Sequence, residues 1–336
     1  MDWNIHGHDW AVDLLRSHAS TDKLRHAYLF IGPEGVGRRT LALRFAQALN
    51  CTNPPSPGAF CGTCRDCRQI SAMQYPDLSL LVPEGGHKDI LIDQVRQLEH
   101  DLSLAPYSAK YRIALLPDFQ RATTQAANAL LKTLEEPAEK VVLLLTANTL
   151  ENLLPTIVSR CEVLRLRPAS IHSTQAFLQG RGLSTETARH IAHLSNGRIG
   201  AALRLAENPD EMERRDGQIE AFLSLLPAHR YERFRVADEL THPRDAAREN
   251  VSQVLPVWLS FWRDVFVRAS NAELPLVNID LEAMVEQVAQ QLDASDARRL
   301  VIAHEQAMQQ LDAYANVQLL VEALMLQWPH VQLGAR

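Results

Sequence analysis

Four of the five cysteines of this chain are close enough in sequence to bind one metal ion. They are Cys51, Cys61, Cys64 and Cys67, whereas the fifth, Cys161, stands far from them. In a reducing compartment, closely spaced thiols favour metal ligation over disulfide bridges. Four thiolates fill the tetrahedral shell of Zn²⁺ and leave no open position, so the spacing predicts a structural zinc module at 51–67. Loose surface thiols and a redox pair are the alternatives.

A glycine-rich loop follows the first predicted strand and leads into a helix. It has the outline of a P-loop, whose key positions are Gly32, Gly35, Gly37, Arg38, Arg39 and Thr40. In a working P-loop, backbone N–H groups wrap the phosphates, a Lys reaches the outer phosphates and a Ser or Thr hydroxyl binds Mg²⁺. Here Arg38 takes the Lys position and Arg39 the hydroxyl position, and a guanidinium cannot ligate a cation. We therefore expect an inactive loop and no ATP binding by this chain. The alternative is a Gly-rich turn with no nucleotide role.

The predicted strand at 113–116 ends where a nucleotide-hydrolysing protein needs two acids. One acid binds Mg²⁺ and the other activates the attacking water. This chain has Pro117 at the first position and Asp118 at the second. The missing acid is an independent reason to expect no hydrolysis, and a cap for the next turn is the alternative role of Asp118.

The elements that must position these residues change in character near residue 168. Before it, short buried strands are predicted at 27–31, 78–82, 113–116, 141–145 and 163–166, with helices at 38–49, 90–103 and 122–136. This alternation predicts an α/β domain with a mostly parallel sheet. After it, three short helices are predicted at 171–181, 184–194 and 199–207, and the chain is helical from about 210 onward. Trp258, Phe261, Trp262 and Phe266 have helical spacing and are expected to pack in a core.

Composition and charge exclude several classes of protein. The chain has 336 residues, of which 46% are hydrophobic and 22% charged, as in ordinary globular domains. The formal net charge of -6 argues against a coat of nonspecific nucleic-acid contacts, since phosphate neutralisation needs clustered Lys and Arg. We find no run of 18 apolar residues and no signal-peptide pattern, and therefore expect a cytoplasmic protein.

The polar residues near the N-terminus have the composition of a metal cluster. His6, His8 and Asp9 lie within a few residues of one another. We interpret them as part of a solvated segment that Trp3 and Trp10 anchor.

Three longer segments are distinctive as whole motifs. They are NALLKTLEEP at 128–137, LPTIVSRC at 154–161 and HAYLFIGP at 26–33. Together they resemble the bacterial clamp-loader subunits of the AAA+ class. The resemblance covers the first 168 residues well, and it extends into the C-terminal helices only through a stripe formed by Asn316, Leu319, Glu322, Leu324 and Leu326.

The resemblance implies a chain of three parts. The first is a RecA-like α/β P-loop domain at 1–168, which includes the cysteine cluster as the zinc module of the family. The second is a three-helix lid at 169–208. The third is an all-α collar domain at 209–336, which in this family packs with sister subunits to close a ring.

The resemblance also assigns roles to particular residues. Ser159, Arg160 and Cys161 match the SRC motif, whose arginine reaches across a subunit interface to the γ-phosphate of the adjacent ATP. Such an arginine finger neutralises charge that develops on the transferred phosphoryl group. A surface ion pair is the alternative role of Arg160. Glu135 and Glu136 close the 122–136 helix, and we interpret them as solvated charges.

Two further positions correspond to nucleotide sensors in the family. Asn148 follows the fourth strand at the place of the first sensor. The second sensor is normally an arginine of the lid, and its position falls on Gly200. The resemblance therefore points to the members of the family that do not hydrolyse ATP.

The partners implied by the resemblance are clamp-loader subunits of the delta and gamma/tau types in a hetero-pentamer. That assembly acts on the ring-shaped sliding clamp and on primed DNA, with no membrane involved. Neither ATPase nor polymerase activity is expected from this chain alone, which would be a component of DNA polymerase III.

Two hypotheses from other classes remain open. An active ATPase subunit of the gamma/tau type is disfavoured by Arg38, Arg39 and Pro117. A zinc-dependent DNA-binding module is disfavoured by the acidic net charge.

Overall fold

The computed structural model describes residues 3–21, 23–85, 87–312 and 316–332, and the remaining residues of the predicted domains lie outside it. In the described residues, the strands are β1 (Ala27–Ile31), β2 (Leu78–Leu80), β3 (Arg112–Leu116), β4 (Val141–Ala147) and β5 (Glu162–Arg165). The first nine helices are α1 (Asp9–Ser20), α2 (Arg38–Asn50), α3 (Arg65–Ser71), α4 (Ile92–Ser103), α5 (Thr124–Glu135), α6 (Pro155–Val158), α7 (Ile171–Gln179), α8 (Thr185–Leu194) and α9 (Ile199–Glu207). The others are α10 (Pro209–Leu225), α11 (Arg230–Thr241), α12 (Ala247–Ala269), α13 (Glu282–Ala289), α14 (Ala294–Asp312) and α15 (Val317–Leu326).

The chain divides into two compact units. One contains the residues up to 177 together with 197–201, and the other contains 178–196 and the residues from 202 onward. The three-part division at 168 and 208 remains a prediction.

The first unit is built on one five-stranded sheet. Its strand order is β2-β3-β4-β1-β5, and every pair is parallel. β1 and β4 are buried at every position, as expected for strands that helices cover on both faces. The α/β fold class and the five strands predicted from the sequence are confirmed, with β2 ending at Leu80 rather than at 82.

Alternate strand residues point into two separate cores. Tyr28 and Phe30 of β1 pack with helices α1, α2 and α3 on one face of the sheet. Leu29 and Ile31 pack with α4, α5 and α6 on the other face. Successive side chains of β1 therefore belong to different cores. A shift of one residue would exchange them, so this alternation fixes the register of the strand in the sheet.

Two predicted helices of this unit begin later than the sequence pattern indicated. The helix predicted at 90–103 starts at Ile92, because Ile90 forms a parallel bridge with Ala122. The helix predicted at 122–136 covers Thr124–Glu135, and the Thr123 side chain caps it by accepting a hydrogen bond from the N–H of Ala126.

The interpretation of the N-terminal segment as solvated is wrong for His8, whereas Asp9 is exposed as expected. Asp9 begins helix α1, and His8 is buried, with its Nε2 3.0 Å from the carbonyl oxygen of Val36 in the P-loop. Trp3 is fully buried as expected, whereas Trp10 is half exposed. Because polar side chains at the start of a helix often satisfy neighbouring backbone groups, His8 needs no metal to explain its burial.

The described part of the second unit is helical throughout. Its core is rich in aromatic side chains, as the spacing on α12 predicted. Phe222 contacts Trp258, Phe261, Trp262 and Trp328, with ring centroids 5.0–6.0 Å apart. No helix among the described residues is both long enough and apolar enough to cross a lipid bilayer.

A buried arginine ties three segments of this second unit together. Arg233 of α11 is 5% exposed. Its guanidinium donates hydrogen bonds of 2.9–3.2 Å to five backbone carbonyl oxygens, which belong to Leu225, Leu226, Met325, Trp328 and Pro329. The charge is therefore satisfied by the carboxyl ends of α10 and α15, where free carbonyl groups and the helix dipole favour a cation.

Candidate functional site

The carboxyl edge of the parallel sheet brings together the residues predicted around a nucleotide. The P-loop leaves β1, Asp118 follows β3 and Asn148 follows β4. The N–H of Gly32 donates to the carbonyl of Ala147 over 3.2 Å, which joins the end of β1 to the end of β4. Ligand sites in open parallel sheets lie at this edge.

The arginine in the Lys position of the P-loop is buried and paired. Arg38 is the first residue of α2, and its side chain is 7% exposed. Its Nη2 lies 3.1 Å from Oδ1 of Asp118. Burial lowers the pKa of Arg38 below its ordinary value, and the carboxylates of Asp118 and Glu34 oppose that shift. The guanidinium thus neutralises the one acid that the strand end retains.

The backbone of Asp118 is held in an uncommon conformation. Its φ and ψ are 49° and 48°, in the left-handed region. Its N–H donates to Oγ1 of buried Thr146 over 2.9 Å. The resemblance places the first sensor in the segment 146–148, and Thr146 is the member of that segment that bonds Asp118. The predicted sensor Asn148 lies two residues further on and is exposed.

The two P-loop positions after Arg38 face solvent. Arg39 and Thr40 are exposed on the first turn of α2. The glycines of the loop retain positive φ angles, 79° at Gly35 and 107° at Gly37, so the backbone keeps the outline that the sequence indicated.

The carbonyl of Gly35 is occupied by the chain itself. The N–H groups of Gly200 and Ala201, in the first turn of α9, donate to it over 2.7 and 3.3 Å. A Cβ atom at Gly200 would lie 2.8 Å from that oxygen, and one at Gly35 would lie 2.9 Å from the Cβ of Ala201. Only glycine permits this close approach of α9 to the P-loop.

The predicted arginine finger follows α6 and is partly exposed. The Arg160 side chain retains 34% exposure, and Ser159 beside it is exposed. Nη2 of Arg160 lies 2.6 Å from Oε1 of Glu135, at the last residue of α5. The interpretation of Glu135 as merely a solvated charge is therefore wrong, whereas Glu136 is exposed.

The third residue of the SRC motif packs inward. Cys161 lies against the core that α4, α5 and α6 share. Burial raises the pKa of its thiol to about 12, so it stays protonated and behaves as a small apolar side chain.

The other four cysteines converge as the sequence predicted. The sulfur atoms of Cys51, Cys61, Cys64 and Cys67 all lie within 4.8 Å of one another. Zn–S bonds of about 2.3 Å in a tetrahedron separate the sulfur atoms by about 3.8 Å. The Cys51 and Cys61 sulfur atoms are 3.6 Å apart, so the cluster could bind a metal ion.

Backbone N–H groups prepare this cluster for negative charge. Each of three sulfur atoms accepts one of them: Cys51 Sγ from Cys61 at 3.3 Å, Cys61 Sγ from Cys64 at 3.2 Å, and Cys64 Sγ from Cys67 at 3.4 Å. The N–H groups of Cys64 and Thr63 lower the pKa of Cys61 to about 6, whereas burial raises the pKa of Cys51 and of Cys67. Thiolates are the form that ligates metals, so this donor set fits a metal site.

Two family models match the chain. The model described as DNA polymerase III, delta subunit matches residues 7–170, which contain the P-loop, the cysteine cluster and the SRC motif. The model described as DNA polymerase III, delta subunit, C terminal matches residues 236–330. Together they cover most of the chain.

Two delta' subunits match this chain over nearly the full length, and a tau subunit matches part of it. The DNA polymerase III subunit delta' of Bacillus subtilis is 29% identical over 315 residues, which is 94% of this chain and 94% of that protein. The subunit delta' of Escherichia coli is 27% identical over 91% of this chain and 89% of its own length. The subunit tau of Escherichia coli is 28% identical over 64% of this chain and 34% of its own length.

The contact between Gly200 and the P-loop predicts an unusual response to alanine. Gly→Ala in a helix normally stabilises a protein by up to about 1 kcal/mol. At Gly200 the added Cβ meets a backbone oxygen that cannot move cheaply, so Gly200→Ala should lower the free energy of unfolding by about 1–3 kcal/mol. Gly217 in α10 has open space around its Cβ position, and Gly217→Ala should raise that free energy. Urea unfolding of the two variants tests the prediction, and a stabilised Gly200→Ala would contradict it.

The geometry of the cysteine cluster predicts that the protein binds a metal ion and that the loss of any one of the four thiols weakens this binding. Elemental analysis of the purified protein should find about one metal ion per chain. Cys64→Ser should lose most of it, because three thiolates bind less tightly than four. The control is Cys161→Ser, which removes a thiol outside the cluster and should retain the metal. Equal metal content in both variants would exclude the cluster as the site.

Proposed function

Because the chain belongs to the delta' family of DNA polymerase III clamp-loader subunits, we propose that it acts there without hydrolysing ATP itself. It assembles with subunits of the delta and gamma/tau types in a hetero-pentamer. In that assembly it helps to place the sliding clamp on primed DNA in the cytoplasm. Its own contributions are rigid support and Arg160, which it offers to the ATP of the neighbouring subunit.

The observation that supports the non-hydrolysing role best is the pairing of Arg38 with Asp118. A hydrolysing site needs a free acid to hold Mg²⁺ or to orient water, and here the acid faces a buried guanidinium 3.1 Å away. The Arg38 side chain is 7% exposed and that of Asp118 is 45% exposed, so the buried guanidinium depends on this carboxylate for its charge partner.

The non-hydrolysing role predicts that the isolated chain is inert towards ATP. Titration with a fluorescent ATP analogue in the presence of Mg²⁺ should give no saturable binding, and no phosphate release should be detected. Similarity to the tau subunit makes this a necessary test. Turnover that disappears in the variant Asp118→Ala would support an active ATPase of the gamma/tau type instead.

Support for the arginine finger comes from the position and exposure of Arg160. It lies at the carboxyl end of α6 and keeps part of its guanidinium accessible. The motif around it is the one that the family resemblance assigns to the interface with the next ATP. In known cases an arginine finger accelerates phosphoryl transfer by roughly 10³–10⁵, because its fixed charge meets the charge that develops on the phosphoryl oxygens.

Truncation of the finger should reduce ATP turnover by the assembled clamp loader. In a loader reconstituted with its partner subunits, Arg160→Ala should lower DNA- and clamp-stimulated hydrolysis by at least about fivefold, since one ATP site loses its charge partner. The control is Arg96→Ala, which removes an exposed arginine of α4 with 65% side-chain exposure. Assembly is checked by gel filtration. Unchanged turnover in an intact complex would rule out the finger.

The proposed metal is zinc in a structural role. Four sulfur ligands close the tetrahedral shell, so no position remains for water or substrate. The segment between Cys51 and Cys61 is polar and mostly exposed, and metal binding supplies folding free energy that its side chains do not. Cys67 is buried against the core beside α2, which ties the module to the P-loop helix.

A further inference from the structure

The ion pair between Glu135 and Arg160 links the end of α5 to the residue that we propose as the arginine finger. The two residues are 25 positions apart in sequence, and their bond is 2.6 Å long. Glu135 is the last residue of α5, and Arg160 lies two residues beyond the end of α6. Two helix ends of the same unit therefore fix one guanidinium.

A second acceptor holds the guanidinium from another side. Nη1 of Arg160 donates to the carbonyl oxygen of Thr156 over 2.8 Å and approaches Oγ of Ser159 at 3.4 Å. Glu135 and Thr156 bond different nitrogen atoms, so together they define the plane of the group. A guanidinium has five N–H donors, and these contacts use three at most. At least two donors remain for another ligand.

We propose that Glu135 is a positioning residue for Arg160. It holds the guanidinium in one orientation before and during assembly, so that the remaining N–H donors meet a phosphoryl group presented by the adjacent subunit. The inference rests on the proposed function of Arg160 as a finger, and it adds the residue that orients it.

The Glu135–Arg160 ion pair could either orient the guanidinium or keep it away from a phosphate. The solvent exposure of the two side chains distinguishes these roles. The Glu135 side chain is 52% exposed and that of Arg160 is 34% exposed. Ion pairs this accessible to water are weak and contribute little to folding. Such a pair cannot withhold an arginine from a phosphate, but it can restrict a long side chain that otherwise samples many rotamers. When a group that contacts the transition state is already ordered before the substrate binds, no entropy is lost in ordering it during the reaction. The chemical step is therefore faster.

The next residue in the chain is a matched control. Glu136 carries the same charge, is also exposed, and forms no ion pair within the part of the chain that the structure describes. Removing either carboxylate changes the net charge equally. A difference between the two variants therefore reports the loss of the Glu135–Arg160 ion pair and not the general electrostatic effect of removing one negative charge.

The experiment measures ATP hydrolysis by the reconstituted clamp loader as a function of ATP concentration. Glu135→Ala should lower kcat by about threefold to tenfold and leave the KM for ATP unchanged, because the finger acts on the reacting phosphoryl group. Glu135→Gln should retain most of kcat, since its amide oxygen accepts the same N–H. Glu136→Ala should match the unaltered protein. Gel filtration and thermal unfolding establish that each variant folds and assembles.

A double variant separates positioning from an unrelated structural effect. Once Arg160→Ala has removed the finger, adding Glu135→Ala should reduce kcat no further. A further loss of the same size would show that Glu135 acts independently of Arg160. Unchanged or increased kcat in Glu135→Ala alone would also overturn the inference, the increase pointing to concealment.

The outcomes distinguish this inference from the function on which it rests. If Arg160→Ala has no effect in an intact loader, the finger itself is excluded and Glu135 has nothing to position. If Arg160→Ala lowers kcat and Glu135→Ala does not, the finger stands and only the role of Glu135 fails.

Discussion

Parallel pairing of buried strands is the constraint on which the first unit depends. Because β1, β3 and β4 run in the same direction, the loops that leave them meet at one edge of the sheet. That edge holds the P-loop and Asp118, and the strand register leaves little freedom in their separation. The same geometry serves ATPases, so what distinguishes this chain is the chemistry of a few side chains and not the framework.

The buried positive charge of Arg38 determines the electrostatics of the carboxyl edge of the sheet. Arg38 replaces a residue that would bind phosphate, and burial obliges it to find an acid inside the protein. Asp118 meets that need through one of its two carboxylate oxygens. The first turn of α9 bonds the carbonyl of Gly35, so a second internal contact holds the backbone of the same loop.

The sequence predicted what depends on local pattern. The strands were predictable because buried parallel strands are continuous apolar runs, and the metal cluster because its ligands are close in sequence. The pairing of Arg38 with Asp118 spans 80 residues and that of Arg160 with Glu135 spans 25, so neither follows from spacing. Helix α1 was not predicted, because polar residues at its N-terminus obscure the helical spacing of its buried apolar residues, Ala11, Val12 and Leu15. For the two ion pairs the decisive information is a tertiary contact.

The five carbonyl bonds of Arg233 have a consequence for how the protein is made. Their acceptors lie as far as 96 residues further along the chain. Until residues 325–329 have been synthesised, this guanidinium lacks most of the groups that satisfy it, and burying it without them is costly. The helical unit therefore cannot reach its final packing during early translation. Helices α11, α12 and α14 are all synthesised before the last of these acceptors, Pro329, so the unit closes only once nearly its whole length has been made.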